Sequence, residues 1–228
     1  MLTQEALDFL VENQLTDSRE WFEAHRADYE RLVREPMFEV IDRVCEVLAE
    51  EVEPEIMRDH KRALSRIRRD TRFTRDKTKY RANFWAMFQR DKRMYEYCPG
   101  FFFELRPGGS MWGCGMYFAD ERIQDAYRKM VHERRPEFLA AKAAYEAQDV
   151  FIFDPDGAYK RTRHPDEPED VRPWLDRRDL YLFHSDEPEA AFVPDLADRL
   201  VEDFRLLYPY YRFLIAAADG AVRAQTGL

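Results

Sequence analysis

Two aromatic-rich runs, Phe101–Leu105 and Met111–Phe118, are separated by Pro107-Gly108-Gly109-Ser110. Proline and paired glycines supply the dihedrals of a tight reversal, and bulky runs on either side favour extended chain. An antiparallel β-hairpin turning at Gly108-Gly109 is therefore predicted, and the rest of the chain must accommodate it. Gly113 and Gly115 sit two apart on the second run, hence on one face. There they leave room for a close backbone approach or for a ligand. Asn83–Phe88 is a compact apolar run, bulky on both faces, and Leu180–Phe183 reads as one more strand.

Helical periodicity brackets this middle. Leu7, Leu10 and Val11 predict a first helix stopping near Asn13. Asp17, with Glu20 three residues on, has the spacing of a capping box for a second. Trp21, Phe22, His25, Tyr29, Leu32 and Val33 mark one face of that helix, and Pro36 must kink or restart it. Phe38, Ile41, Val44, Cys45 and Leu48 mark a third, ending before Pro54. Helices return over 120–134 and 136–148, and again over 195–218 with a break at Pro209. Asp154-Pro155-Asp156-Gly157 reads as a turn and Arg163–Pro173 as a surface loop. The expected fold is α+β, an antiparallel sheet flanked by N-terminal and C-terminal helices. With no low-complexity linker in its 228 residues, the chain is expected to form one domain, 1–228.

Composition excludes several classes. Aromatics at 14% are too many for a disordered chain, and no apolar run approaches a membrane span. The N-terminus lacks a basic and then apolar leader, so no secretory signal is expected. Cys45, Cys98 and Cys114 are scattered and odd in number, which argues against a disulfide framework or a thiolate zinc site and fits a reducing cytoplasm. There is no P-loop, no G-x-S-x-G, no H-E-x-x-H and no dinucleotide glycine fingerprint.

One window breaks the acidic average. Between Arg58 and Arg81 stand 11 Lys/Arg against three Asp, a local net of +8, leaving −17 on the remainder of a chain whose total is −9. Arginine forks pair bidentately with phosphate or carboxylate, and several converging forks need an anion between them. Asp70 and Asp76 would orient two of these cations, and Tyr80 would add a neutral donor. Helical spacing puts Arg66, Arg69, Asp70 and Phe73 on one face. Strand spacing instead puts Arg66, Arg68 and Asp70 on one face and Arg69 with Phe73 on the other. Two readings stand open, an ion-pair network tying helices to sheet or an anion site. Three aspartates cannot neutralise eleven cations, and unpaired buried charge is costly, which favours the site.

The same residues resemble a known family. The pattern R-x-x-R-D-x-R-F-x-x-D-K-x-x-Y, filled by Arg66, Arg69, Asp70, Arg72, Phe73, Asp76, Lys77 and Tyr80, is similar to the signature of the domain of unknown function 2461 family. Arg19-Glu20-Trp21-Phe22, His25-Arg26 and Tyr29 resemble its N-terminal motif, and the Pro-Gly-Gly hairpin is similar again. The chain departs from the family pattern near Lys160-Arg161, where an expected proline- and glycine-containing segment is shortened to Thr162-Arg163-His164-Pro165. The resemblance covers most of the chain and implies no activity.

The function expected is the binding of a small anionic, phosphate-bearing ligand by Arg66, Arg69, Arg72, Lys77 and Tyr80. An enzyme on a phosphorylated substrate is the alternative, with those cations stabilising charge and His25 or Asp70 moving the proton. His25, flanked by Trp21 and Tyr29 at i±4, also fits a hydrogen-bonded core histidine. A partner- or nucleic-acid-binding module is a further alternative, though a long duplex would feel the remote carboxylates, whereas a small ligand is screened from them beyond about 8 Å. No cofactor and no metal are expected. The near-repeat around His164 and His184, each followed by acidic residues and proline, reads as solvated turns rather than a metal site.

Overall fold

The structure, a computed structural model, describes residues 1–92, 98–116 and 119–226. Helix α1 (Gln4–Thr16) runs a turn beyond Asn13 and stops where Asp17 takes the left-handed conformation, φ 45°, its N–H donating to the Asn13 carbonyl. Having ended α1 that way, Asp17 cannot also hold the extended backbone of an N-cap. Ser18 caps α2 (Arg19–Ala24) instead, its Oγ accepting from the Trp21 N–H at 3.2 Å. After α3 (Arg26–Tyr29) the chain widens into a π turn over Glu30–Arg34, immediately before α4 (Glu35–Glu51). Pro36 lies in the first turn of α4, where its missing N–H costs least. Met37, Ile41, Val44, Cys45 and Leu48 are buried along α4, whereas Phe38 is only half-buried, its ring stacked on His60 at 4.0 Å.

The basic window starts with a short helix, α5 (His60–Ala63), and continues as a two-stranded ribbon. Ser65 N–H donates to Trp85 O (2.8 Å), Arg81 N–H to Ile67 O (3.0 Å) and Arg69 N–H to Lys79 O (2.8 Å). Arg68 faces Tyr80 across the pair. The strand alternative is thus the one adopted, and residues 70–78 form the tip of a finger.

Strands β1 (Phe84–Gln89), β2 (Gly100–Arg106), β3 (Gly109–Met116), β4 (Ile152–Phe153) and β5 (Leu180–Asp186) form an antiparallel sheet in the order β1-β2-β3-β5-β4. The hairpin β2–β3 is present, with its turn at Pro107-Gly108, one residue earlier than predicted. Tyr117 and Phe118, the end of the predicted second strand, lie outside the described residues. The space beside Gly113 and Gly115 is filled by backbone and not by a ligand. A Cβ on Gly113 would stand 2.0 Å from Leu182 O, and one on Gly115 2.2 Å from Leu180 O.

The remaining helices are α6 (Glu121–His132), α7 (Pro136–Glu146), α8 (Arg172–Leu175), α9 (Leu196–Leu206) and α10 (Tyr208–Thr226), with Pro209 at the start of α10 as its break predicts. The fold is α+β. Two compact units emerge, each assembled from three stretches: 1–88, 102–112 and 185–201 in the first, 89–101, 113–184 and 202–228 in the second. The first buries Leu10, Phe22, Val33, Ile41, Leu48, Ile67 and Tyr80, with Phe84 beside Phe103. The second packs α10 on α6 and α7 around Trp174, which meets Phe138, Tyr145 and Phe153 edge-on at 5.1–5.7 Å. Among the described residues no helix is long and apolar enough to cross a membrane.

Candidate anion-binding site

Alternation along the ribbon decides what the site receives. Ile67 points into the core of the first unit, so Arg66 and Arg68 are exposed on the other side. They face a groove of 410 Å³ whose opposite wall is the helical run from α2 to α4. Arg19, Arg26 and Arg34 come from that run, and Lys61 comes from α5. Six cations therefore line the groove against two carboxylates, Glu23 and Glu30, a net of +4. The apolar floor includes Phe22, Tyr29, Leu64 and Ile67.

The two carboxylates are committed. Glu23 holds Arg26 at 2.5 Å and Glu30 holds Arg34 at 2.5 Å, and Arg68 reaches Glu23 only at 3.6 Å. Among the described residues no carboxylate stands within ion-pair distance of Arg19, Lys61 or Arg66. The Arg26 hydrogen bond holds the Glu23 carboxyl below its ordinary range. Burial pushes the Tyr29 phenol up to about 12, so it stays a neutral donor at physiological pH. A second hollow of 330 Å³ shares Arg19 and Arg68 with the groove and adds Arg69, Thr71, Lys79 and Tyr80.

The predicted site residues divide between this wall and the finger tip. Arg66 lines the groove, and Arg69 and Tyr80 line the smaller hollow. Tyr80 is buried, packed on Phe22 at 5.2 Å under the Arg68 guanidinium. Arg69 is paired with Asp76. Arg72, Lys77 and Asp70 line neither hollow. Arg72 forks onto Asp70, with Nη2 at 2.7 Å, and Lys77 Nζ donates to Thr71 O at 2.7 Å. Asp70 and Asp76 thus hold Arg72 and Arg69 in local pairs, because each arginine finds an aspartate within seven residues.

These pairs leave their mark on the carboxyls. Hydrogen bonds from Arg72 bring Asp70 down to about 2, and Thr78 with Arg69 holds Asp76 lower still. A carboxylate held that low is a poor proton acceptor. His25 stacks on Trp21 at 4.1 Å, and its Nδ1 lies 2.8 Å from the Trp21 carbonyl. A carbonyl only accepts, so Nδ1 carries the proton and Nε2 is the basic nitrogen. His25 does not line the groove.

Sequence reasoning missed Arg34, counted Lys61 only as one cation of the basic window, and named Arg19 and Arg26 in the N-terminal motif without assigning them to the site. The signal was present: Arg19, Glu23, Arg26, Glu30 and Arg34 recur at steps of three or four, one charged stripe beside the apolar face. In the second unit the two halves of the histidine near-repeat do separate jobs. His164 lies by His132, whose Nδ1 meets Glu167 at 3.0 Å, and the His184 Nδ1–H donates to Val150 O. Among the described residues no group of three or more His, Cys, Asp or Glu is placed to hold a metal ion.

Fold and groove together define an α+β protein with a cationic cleft between a β-ribbon and an N-terminal helical run. The family described as "Conserved hypothetical protein (DUF2461)" matches residues 5–213, and the chain belongs to it. That match spans both walls of the groove. No curated protein sequence matches the chain.

Proposed function

We propose that the groove receives a small anion bearing phosphate, held by the Arg66 and Arg68 forks on one wall, by Arg19 on the other and by Lys61 of α5. The observation that carries this reading is the uncompensated +4 lining one concavity of an otherwise acidic chain. Like charges held together repel, and an anion of matching charge relieves that cost. The volume suits a metabolite or a phosphate-bearing end rather than an extended duplex. Buried, unbridged Cys45 and Cys114 support a reducing, cytoplasmic setting.

Binding without proton transfer is the reading preferred over catalysis. The groove's acids and bases other than its cations are Glu23 and Glu30, both ion-paired, and the high-lying Tyr29 phenol. The finger tip, by contrast, supports the structural reading of its half of the motif, since Arg72 pairs with Asp70, Arg69 with Asp76, and Lys77 holds the Thr71 carbonyl.

Denaturant melts test the proposal. Inorganic phosphate or a phosphorylated metabolite at a hundredfold excess over its dissociation constant should stabilise the wild type by about 2.7 kcal/mol. Arg66→Ala should cost no stability in anion-free buffer, because it removes an unpaired like charge, and should lose the response. A wild-type midpoint indifferent to every anion tried sinks the binding reading. Turnover of phosphoesters, abolished by His25→Ala while the anion response survives, would establish the enzyme instead.

A further inference from the structure

Two large apolar side chains stand out on the first unit, Phe73 at 88% exposed and Leu15 at 80%. Neither lines the cationic groove. Phe73 sits at the tip of the finger, and that tip is braced from within. Arg72 grips Asp70, Lys77 Nζ holds Thr71 O, and Thr74 Oγ1 donates to Asp76 O at 2.7 Å. The finger's base is pinned to the end of α1, where Lys79 N–H donates to Asp17 Oδ1 at 2.6 Å. A loop ordered by its own polar contacts has already lost the entropy that docking would cost, so it presents Phe73 as a ready anchor. The ring carries the Arg72 guanidinium over it at 5.3 Å. Arg75, two residues on, has no ion-pair partner among the described residues.

The chain itself offers a complementary surface. A shallow hollow of 480 Å³ on α1 is lined by Asp8, Val11, Glu12, Leu15 and Thr16, which sets two apolar side chains beside two acidic ones. Asp8 accepts from the neutral Gln4 amide at 2.8 Å, which leaves its charge uncompensated. We propose that the protein self-associates by seating Phe73 of one copy in the α1 hollow of a second, with Arg75 against Asp8 and Glu12. Asp17 both ends α1 and holds the finger's base, so the anchor and its receptor are carried on adjoining elements. A two-fold arrangement then makes each contact twice. The sign of the charges argues for a second copy over nucleic acid: the finger belongs to a window of +8 and the rest of the chain carries −17.

Sedimentation equilibrium of the full chain, from micromolar to millimolar concentration, tests this. The expected result is a monomer–dimer equilibrium weakened about tenfold or more by Phe73→Ser and by Leu15→Ser. Added salt should weaken it too. Glu12→Arg should weaken pairing, and combining it with Arg75→Glu should restore part of the loss. Phe73 and Leu15 are exposed, so the variants should keep the wild-type circular dichroism. The phosphate response should persist in Phe73→Ser, which separates this proposal from the groove. A chain monomeric throughout, a dimer indifferent to both serine substitutions, or a monomer that binds single-stranded oligonucleotide through Phe73 would each overturn it.

Discussion

A carboxylate's partner, more than its place in a motif, sets what it does, and Asp70 illustrates this. Its sequence context invites a role in proton transfer, yet the Arg72 fork and the Arg72 N–H both favour its charged form. The sign follows directly. Asp70 titrates lower in the folded chain than the ordinary 3.8, so the pair contributes stability above that pH and loses it as the pH falls through about 2. Carboxyl carbon shifts measured by NMR should therefore place the Asp70 midpoint near 2, and Arg72→Ala should move it back toward 3.8. An unmoved midpoint in the variant would mean that another group holds the carboxylate. Arg66 shows the converse. It occupies the same motif and has no aspartate within reach, so its charge stays available to a ligand.

Strand β3 shows how an element can be spelled correctly and still withhold its purpose. Two glycines on one face announce that something approaches closely, without saying what. The structure supplies β5, whose carbonyls and Cα atoms stand where side chains would be. Gly115 carries a φ of 157°, which adds backbone strain to the clash for any other residue. Gly115→Ala should accordingly destabilise by about 3 kcal/mol or more, since neither backbone can yield without breaking the ladder. Urea melts check this, and a loss below about 1 kcal/mol would mean that the strands separate easily at that point. The helical run from α2 to α4 carries a similar lesson. Its apolar stripe was legible and marks the buried face, whereas the charged stripe beside it acquires meaning only once Arg66 and Arg68 lie opposite.

Across the whole molecule, stability rests on two sets of buried aromatics and aliphatics, one in each unit. Trp174 is the hub of the second, in edge-on contact with the rings of Phe138, Tyr145, Phe153 and Phe213. Trp174→Ala should cost about 3–5 kcal/mol and remove much of the near-ultraviolet circular dichroism, a loss that thermal melts would register clearly. The sequence by itself determined most of the elements and the excess of positive charge, though neither the ribbon nor α8. A Pro-Gly turn, an apolar period, a proline in a first helical turn and a run of arginines act over a few residues, where chain connectivity already holds the partners together. Pairing of Arg72 with Asp70 and of Arg69 with Asp76 is also local, yet the choice between helix and strand that governs it came from Trp85 and Lys79 across the ribbon. Only the tertiary structure decided which cations share a cavity. Arg19, Arg26 and Arg34 meet Arg66 across more than thirty residues of chain, and β5 fills the space beside Gly113 from nearly seventy residues away. Contacts so distant in sequence are selected by the burial of Ile67, Phe22 and Tyr80, whose packing sets the ribbon against the helices, and no local pattern encodes which charges that packing brings face to face.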